Sequence, residues 1–263
     1  MKVGVIGCGT IGSEIAKAIS GIPGLELISL CDIEPNKAER LSLLLPEKPS
    51  LDSLSDLISK VDLVIESSSQ EVVKIALPLS IEKRKDMMIM SVGGLIGRED
   101  LLAEAEKKGI KVYLPSGAIA GIDGLKAASC AKVESVTLTT RKPPLALKGA
   151  PYLKDIDLSE IKEEKTVFSA TAEEAIKGFP ANINVAAILS IAGIGVQKTK
   201  VKIVADPKIT RNIHEIEIIG DTGRIFIRCE NLPSPTNPKT SYLASLSAIA
   251  LLKQIASVVK IGT

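Results

Sequence analysis

The chain has 263 residues, comfortable for two domains at roughly 150 residues each. Its 33 Lys and Arg against 31 Asp and Glu leave a net charge of +2, and 45% hydrophobic with 24% charged residues is the profile of a soluble globular chain. This excludes intrinsic disorder and gives no electrostatic footprint for nucleic acid or an anionic membrane; aromatics at 2% leave no base-stacking platform, and a single histidine excludes a multi-histidine metal site.

In chain order, Lys2–Ile6 reads as a short buried strand and Ile11–Ile19 as a helix with apolar positions Ile11, Ile15, Ala18 and Ile19. Between them lies Gly7-Cys8-Gly9-Thr10-Ile11-Gly12, a G-x-G-x-x-G turn. Three glycines at that spacing occur by chance, but a strand before and a helix after give the motif a mechanism. Gly7 permits the tight turn, Gly9 lets a pyrophosphate approach the backbone, and Gly12 allows close helix–strand packing. The helix start at Thr10 and Ile11 offers N–H groups and the positive end of a dipole to the phosphates. Leu25–Cys31 is the second strand, and Asp32 ends it 20 residues after Gly12. A carboxylate there accepts hydrogen bonds from the adenosine ribose hydroxyls and repels a 2′-phosphate. Glu34 adds a second negative charge, so NAD is the expected cofactor. NADP stays open, because Lys37 or Arg40 could swing toward a phosphate.

Helices at Asn36–Leu45, Ser53–Ser59, Gln70–Arg84 and Glu99–Lys108 then alternate with strands at Val61–Ile65, Met87–Val92 and Ile110–Leu114. That rhythm predicts an α/β fold: a Rossmann-type doubly wound parallel sheet with helices on both faces. After about Ser116 the pattern changes. Ser135–Arg141 alternates like a half-exposed strand, Ala170–Lys177 and Asn184–Ala192 look helical, and Val201–Ala205, Ile213–Ile219 and Arg224–Cys229 look like strands. Asp221-Thr222-Gly223 makes a hairpin turn between the last two. This predicts a second, α+β domain. Ser241–Val259 is a final helix whose apolar face, Leu243, Leu246, Ile249 and Ala250, needs a surface to pack on.

Cys8, Cys31, Cys130 and Cys229 form no C-x-x-C pair, and with one histidine no metal site is expected. They read as reduced, buried or half-buried thiols. Gly4, Gly7, Gly9 and Gly12 break the apolar N-terminus, so it does not read as a signal peptide. The longest apolar stretch, Val185 to Val196, has 12 residues, where a membrane span needs about 20. A soluble, cytoplasmic protein with no membrane or nucleic-acid partner is expected.

His214 shares a strand face with Ile216 and Ile218, while Glu215 and Glu217 point the other way. Two readings stand: a buried histidine satisfied by a backbone partner, or an acid/base group that manages a proton beside a nicotinamide. Two segments combine a cation with hydroxyl or amide donors: Thr139–Lys142, with Arg141, and Asn237–Ser241, with Lys239, Thr240 and Ser241. Each could bind a substrate carboxylate. Arg141 could equally be a solvated charge, and Asn237–Ser241 a capped helix start, itself an anion site.

Taken together, the motifs Val3–Gly12 (VGVIGCGTIG), Val61–Gln70 (VDLVIESSSQ), Ser116–Gly121 (SGAIAG), Leu138–Lys142 (LTTRK), Phe179–Ala187 (FPANINVAA), Asn212–Ile216 (NIHEI) and Glu230–Leu246 (ENLPSPTNPKTSYLASL) resemble the NAD(P)-dependent L-aspartate dehydrogenase family. The first is generic to dinucleotide folds; the later ones are far more specific and stand in the family's order. The resemblance implies that Ala118 and Asn184 contact the nicotinamide half of the cofactor and that His214 is catalytic. The implied reaction is oxidative deamination of L-aspartate to iminoaspartate, which hydrolyses to oxaloacetate and ammonia, or the reverse; iminoaspartate would feed quinolinate and NAD synthesis. It also implies a homodimer and a C-terminal helix returning to the first domain, hence domains 1–116 plus 235–263 and 117–234. Hydride removal requires a neutral amine, which a base such as His214 would supply. Two substrate carboxylates call for two anion sites, assigned here to Arg141 and to Lys239, Thr240 and Ser241. Two other readings are a two-domain dehydrogenase for another carboxylated amino or imino acid, and a dinucleotide-sensing module without turnover.

Overall fold

The structure is a computed structural model that describes residues 1–179 and 184–262, without the side chains of Pro238 and Lys239. The chain divides into two compact units, Met1–Gly117 with Ala244–Ile261, and Ala118–Leu243.

The first unit runs β1 (Lys2–Ile6), α1 (Thr10–Ile19), β2 (Glu26–Cys31), α2 (Pro35–Leu44), β3 (Ser50–Leu51), α3 (Leu54–Lys60), β4 (Leu63–Glu66), α4 (Gln70–Glu82), β5 (Asp86–Ile89), α5 (Glu99–Lys107) and β6 (Val112–Tyr113). Its six strands form one sheet in the order β3-β2-β1-β4-β5-β6, and every pairing is parallel. The doubly wound sheet expected from the strand–helix rhythm is present. Its core is aliphatic: Val3, Val5, Leu30, Leu63 and Ile65 of the strands pack against Ile15, Ala16 and Ile19 of α1. Each such side chain, fully buried, contributes about 1.5–3 kcal/mol.

The second unit holds α6 (Ile122–Ala128), β7 (Val133–Lys142), β8 (Lys165–Thr171), α7 (Ala172–Gly178), α8 (Asn184–Ala192), β9 (Lys200–Ala205), β10 (Asn212–Gly220), β11 (Gly223–Asn231), β12 (Pro233–Ser234) and β13 (Asn237–Ser241). Five strands form a mixed sheet ordered β11-β10-β7-β9-β8, in which only β7–β9 is parallel. The β10–β11 hairpin turns through Asp221 and Thr222, with Gly220 opposite Gly223.

The structure departs from the sequence expectations at several elements. Strand β8 replaces the start of the helix expected at Ala170. A register shift between Thr166 and Phe168 places Val167 and Phe168 both inside, which erases the two-residue period that would have marked a strand. Helix α7 starts at Ala172 instead, behind a capping box between Thr171 and Glu174. Asn237–Ser241 is strand β13, paired with β12, and not a capped helix start.

The last helix, α9 (Tyr242–Ala256), also presents a different face from the one expected. Leu243, Leu246 and Ala250 are exposed, whereas Ser245, Ala248 and Leu252 are buried. Ala248 and Leu252 join the core of the first sheet, with Ile249, Leu251 and Ile255 packed beside them. Small residues at Ser245 and Ala248 let the helix approach closely, a criterion that a count of apolar residues does not see. No helix among the described residues is long and apolar enough to cross a membrane.

Candidate active site

The glycine turn joins β1 to α1. Gly7 has a φ of +90°, and its N–H donates to the Cys31 carbonyl at 2.8 Å. A side chain on Gly12 would place its Cβ 1.8 Å from the Gly7 carbonyl oxygen, so only glycine permits this contact. At Gly9 a Cβ would meet nothing within 4 Å. The backbone there faces open space, as a phosphate-binding turn requires. Gly9 is also the N-cap of α1 and brings no side chain to its first turn, where Thr10 and Ile11 lie. Ile11 packs partly against the core and anchors that turn.

Asp32 stands beside the turn. Its carboxylate accepts the Cys8 N–H at 2.6 Å and the Glu34 N–H at 2.8 Å. These two donors aim the group along the loop where a ribose would lie. Glu34 is paired with Lys37 at 2.6 Å, which ties up the nearest lysine. Cys8 lies between the glycines, and burial, with Asp32 and Cys31 nearby, pushes its thiol pKa up to about 12. It is an inert spacer. The four cysteines are unbridged; Cys130 is exposed, contrary to expectation.

Sequence reasoning missed two residues at this end of the sheet. The Ser67 hydroxyl donates toward the carbonyls of Ile6 and Gly7 at 3.1 and 2.9 Å and braces the glycine turn from β4. Glu66 is wholly buried and accepts from the N–H and hydroxyl of both Ser68 and Ser91, at 2.7–3.0 Å. It thereby ties the ends of β4 and β5 together. Burial raises its carboxyl pKa despite these donors. A lone acidic residue closing an apolar strand, as in LVIE, was the available signal.

In the second unit His214 and Thr140 face each other across β10 and β7. Thr140 Oγ1 and His214 Nδ1 are 3.0 Å apart, and both residues are buried. Burial, reinforced by the positive charge of Lys142, pushes the His214 pKa down to about 3, so the ring is neutral at physiological pH. Burial likewise pulls Lys142 down to about 8. Strand alternation explains this grouping: Val136, Leu138, Thr140 and Lys142 share one face of β7.

The same alternation corrects the expectation for Arg141, which is on the opposite face. Its guanidinium pairs with Glu164 at 2.6 Å and Glu215 at 3.0 Å. The cation on the His214 face is its neighbour, Lys142. Lys142 also lines a cavity of about 650 Å³ with Arg211, Asn212, Asn231, Thr240 and Ser241. Thr240 and Ser241 are thus brought to one cavity with a half-buried cation. The Ser241 hydroxyl is buried with no hydrogen-bond partner among the described residues. The side chain of Lys239 lies outside the described residues.

Ala118 is buried, and its carbonyl accepts from the Asn231 side chain at 2.8 Å. Asn231, on the cavity wall, is a third missed residue. Asn184 opens α8; residues 180–183 of the F-P-x-N-x-N-V-A segment lie outside the described residues. No cluster of potential metal ligands occurs among the described residues.

A parallel sheet with an open glycine turn, and a mixed sheet carrying a buried histidine beside a cationic cavity, define the class: a nicotinamide-dinucleotide-dependent dehydrogenase. Residues 123–255 match the model of the aspartate dehydrogenase C-terminal domain, and residues 7–115 that of the homoserine dehydrogenase NAD-binding domain. A relative from Methanosarcina barkeri named L-aspartate dehydrogenase is 50% identical over 100% of both chains. One of the same name from Nitrosopumilus maritimus is 44% identical, covering 100% of this chain and 99% of the other. The crystal structure of aspartate dehydrogenase from Thermotoga maritima superposes with a TM-score of 0.80 at 29% identity, covering 100% of this chain and 99% of that one. The chain belongs to the aspartate dehydrogenase family.

Proposed function

We propose that this chain oxidatively deaminates L-aspartate with NAD to iminoaspartate, which hydrolyses to oxaloacetate and ammonia, or runs the reverse amination. Iminoaspartate then enters quinolinate and NAD synthesis. The observation that carries the reading is a buried, neutral His214 on the same sheet face as a half-buried Lys142, which lines a cavity with Thr240 and Ser241.

Residues Gly7 to Gly12 and Asp32 hold the dinucleotide, with Ala118 and Asn184 toward its nicotinamide. When bound, that ring supplies the hydride acceptor. Asp32 with Glu34 favours NAD over NADP, because a 2′-phosphate would meet two carboxylates. Lys142, with Thr240 and Ser241, binds a substrate carboxylate; Lys239 belongs to the same segment. A side-chain carboxylate in that site gains a charge-assisted contact that alanine cannot make, which favours aspartate over alanine. His214 is the catalytic residue at the amine nitrogen. The protein works in the cytoplasm as a homodimer joined through the outer face of the mixed sheet, where Phe226 is exposed among paired charges.

Purified protein with L-aspartate and NAD should raise reduced-nicotinamide absorbance, more than with NADP, while glutamate, alanine and malate should not. His214→Ala should lose about 10²- to 10³-fold in kcat, the scale on which a preorganised hydrogen-bonding group at the reacting atoms contributes, while its NADH affinity holds. Retained turnover in that variant would remove His214 from the chemistry.

A further inference from the structure

We infer that Thr140 is a positioning residue that holds the neutral His214 ring with its proton on Nε2, so that His214 meets the substrate as a hydrogen-bond donor. This rests on the reading of His214 as the group that touches the substrate, and replaces the base expected from the sequence.

Thr140 and His214 are directly opposed on neighbouring antiparallel strands, which fixes the 3.0 Å contact from Oγ1 to Nδ1 by backbone register. Both side chains lie on the buried face of the sheet. A hydroxyl carries one proton, and Nδ1 is the one acceptor in hydrogen-bond reach of Oγ1 among the described residues. Were the ring protonated on Nδ1, the hydroxyl would accept that proton and its own would be buried with no acceptor, at the full desolvation penalty of an unmet donor. The hydroxyl therefore donates to Nδ1. A neutral imidazole has one N–H, so it sits on Nε2. Lys142, next on the same face of β7, disfavours the doubly protonated ring.

The chemical consequence is specific. Nε2–H donates to the substrate nitrogen once it has a lone pair, as free amine or imine, or to an oxygen of an adduct formed by water. The ammonium proton goes to solvent, because Nε2 already holds one, so the substrate reacts as its free amine. A serine or threonine hydroxyl is required at 140, because only a donor enforces this tautomer.

Having one histidine makes the test unambiguous. Two-bond ¹H–¹⁵N correlation spectra of the uniformly ¹⁵N-labelled full-length protein at pH 7 contain one pair of ring nitrogens. The expected pattern is protonated Nε2 with unprotonated Nδ1; protonated Nδ1, or an average of both tautomers, overturns the inference. Thr140→Val keeps the shape and removes the donor. It should shift the spectrum toward a mixture and lower kcat tenfold or more, on the order seen when a partner orienting an imidazole is lost, with NADH affinity and aspartate KM moved less than threefold. Thr140→Ser should restore both. A Thr140→Val spectrum identical to wild type also overturns it. The two readings fail separately: an active His214→Ala removes the catalytic role and leaves the tautomer standing, whereas protonated Nδ1 with an inactive His214→Ala does the reverse.

Discussion

His214 illustrates how environment and chain position divide the work at a single residue. The strand places it opposite Thr140, and burial and Lys142 keep it neutral. That neutrality carries a stability signature with a definite sign. The imidazole titrates near 6.5 in the unfolded chain and at about 3 in the folded one. Between those values the unfolded chain binds a proton that the folded chain refuses, so stability is present above pH 6.5 and is lost as pH falls below it. Between pH 7 and pH 5 this costs about 2 kcal/mol. Urea unfolding at the two pH values should therefore show wild type losing more stability than His214→Gln. Equal losses would mean that the folded ring takes up the proton.

At the scale of the element, the β1–turn–α1 unit separates two jobs that glycine does for different reasons. Gly12 is required by packing, since a Cβ would fall 1.8 Å from backbone oxygen, which cannot move aside. Gly9 faces open space and is required only by what approaches it. Gly12→Ala should therefore destabilise the first unit by about 1–3 kcal/mol or more, read as a drop in Tm. Gly9→Ala should leave Tm unchanged and weaken NADH binding, read by fluorescence titration. A Tm loss in Gly9→Ala equal to that of Gly12→Ala would show that the open space at Gly9 is not a ligand site. In the second unit β7 does comparable sorting by alternation, sending Thr140 and Lys142 to one face and Arg141 to the other.

For the whole molecule, the face of the mixed sheet opposite His214 is polar and partly exposed. It carries Arg141–Glu215, Arg224–Glu217 and Arg228–Glu230 pairs around an exposed Phe226 on the edge strand β11. An exposed aromatic ringed by paired charges has the make-up of an apolar anchor inside a polar interface rim. Sedimentation should show wild type as a dimer and Phe226→Glu as a folded monomer. A monomeric wild type, or a variant that still dimerises, would discard this face as the interface.

The first unit and the kind of chemistry are both legible in local pattern. Strand–helix alternation in an aliphatic chain has one compact solution, a parallel sheet with helices on both faces, and the strand–glycine turn–helix unit from Gly7 to Gly12 is readable from short-range pattern alone. His214 was legible for a simpler reason, as the one imidazole in the chain. What only the tertiary structure decided was which neighbours meet. Lys142, and not Arg141, shares the inner face of β7 with Thr140, as the alternation along that strand requires. β8 was hidden by a register shift that broke its period, and the packing face of α9 follows small residues that a hydrophobic pattern passes over. Thr140 was legible only as a hydroxyl donor beside a cation, and Asn231 and Glu66 not at all, because their partners lie 74, 113 and 25 residues away. Local pattern specifies elements, but a site is assembled from residues distant in the chain, and only the folded backbone sets their distances.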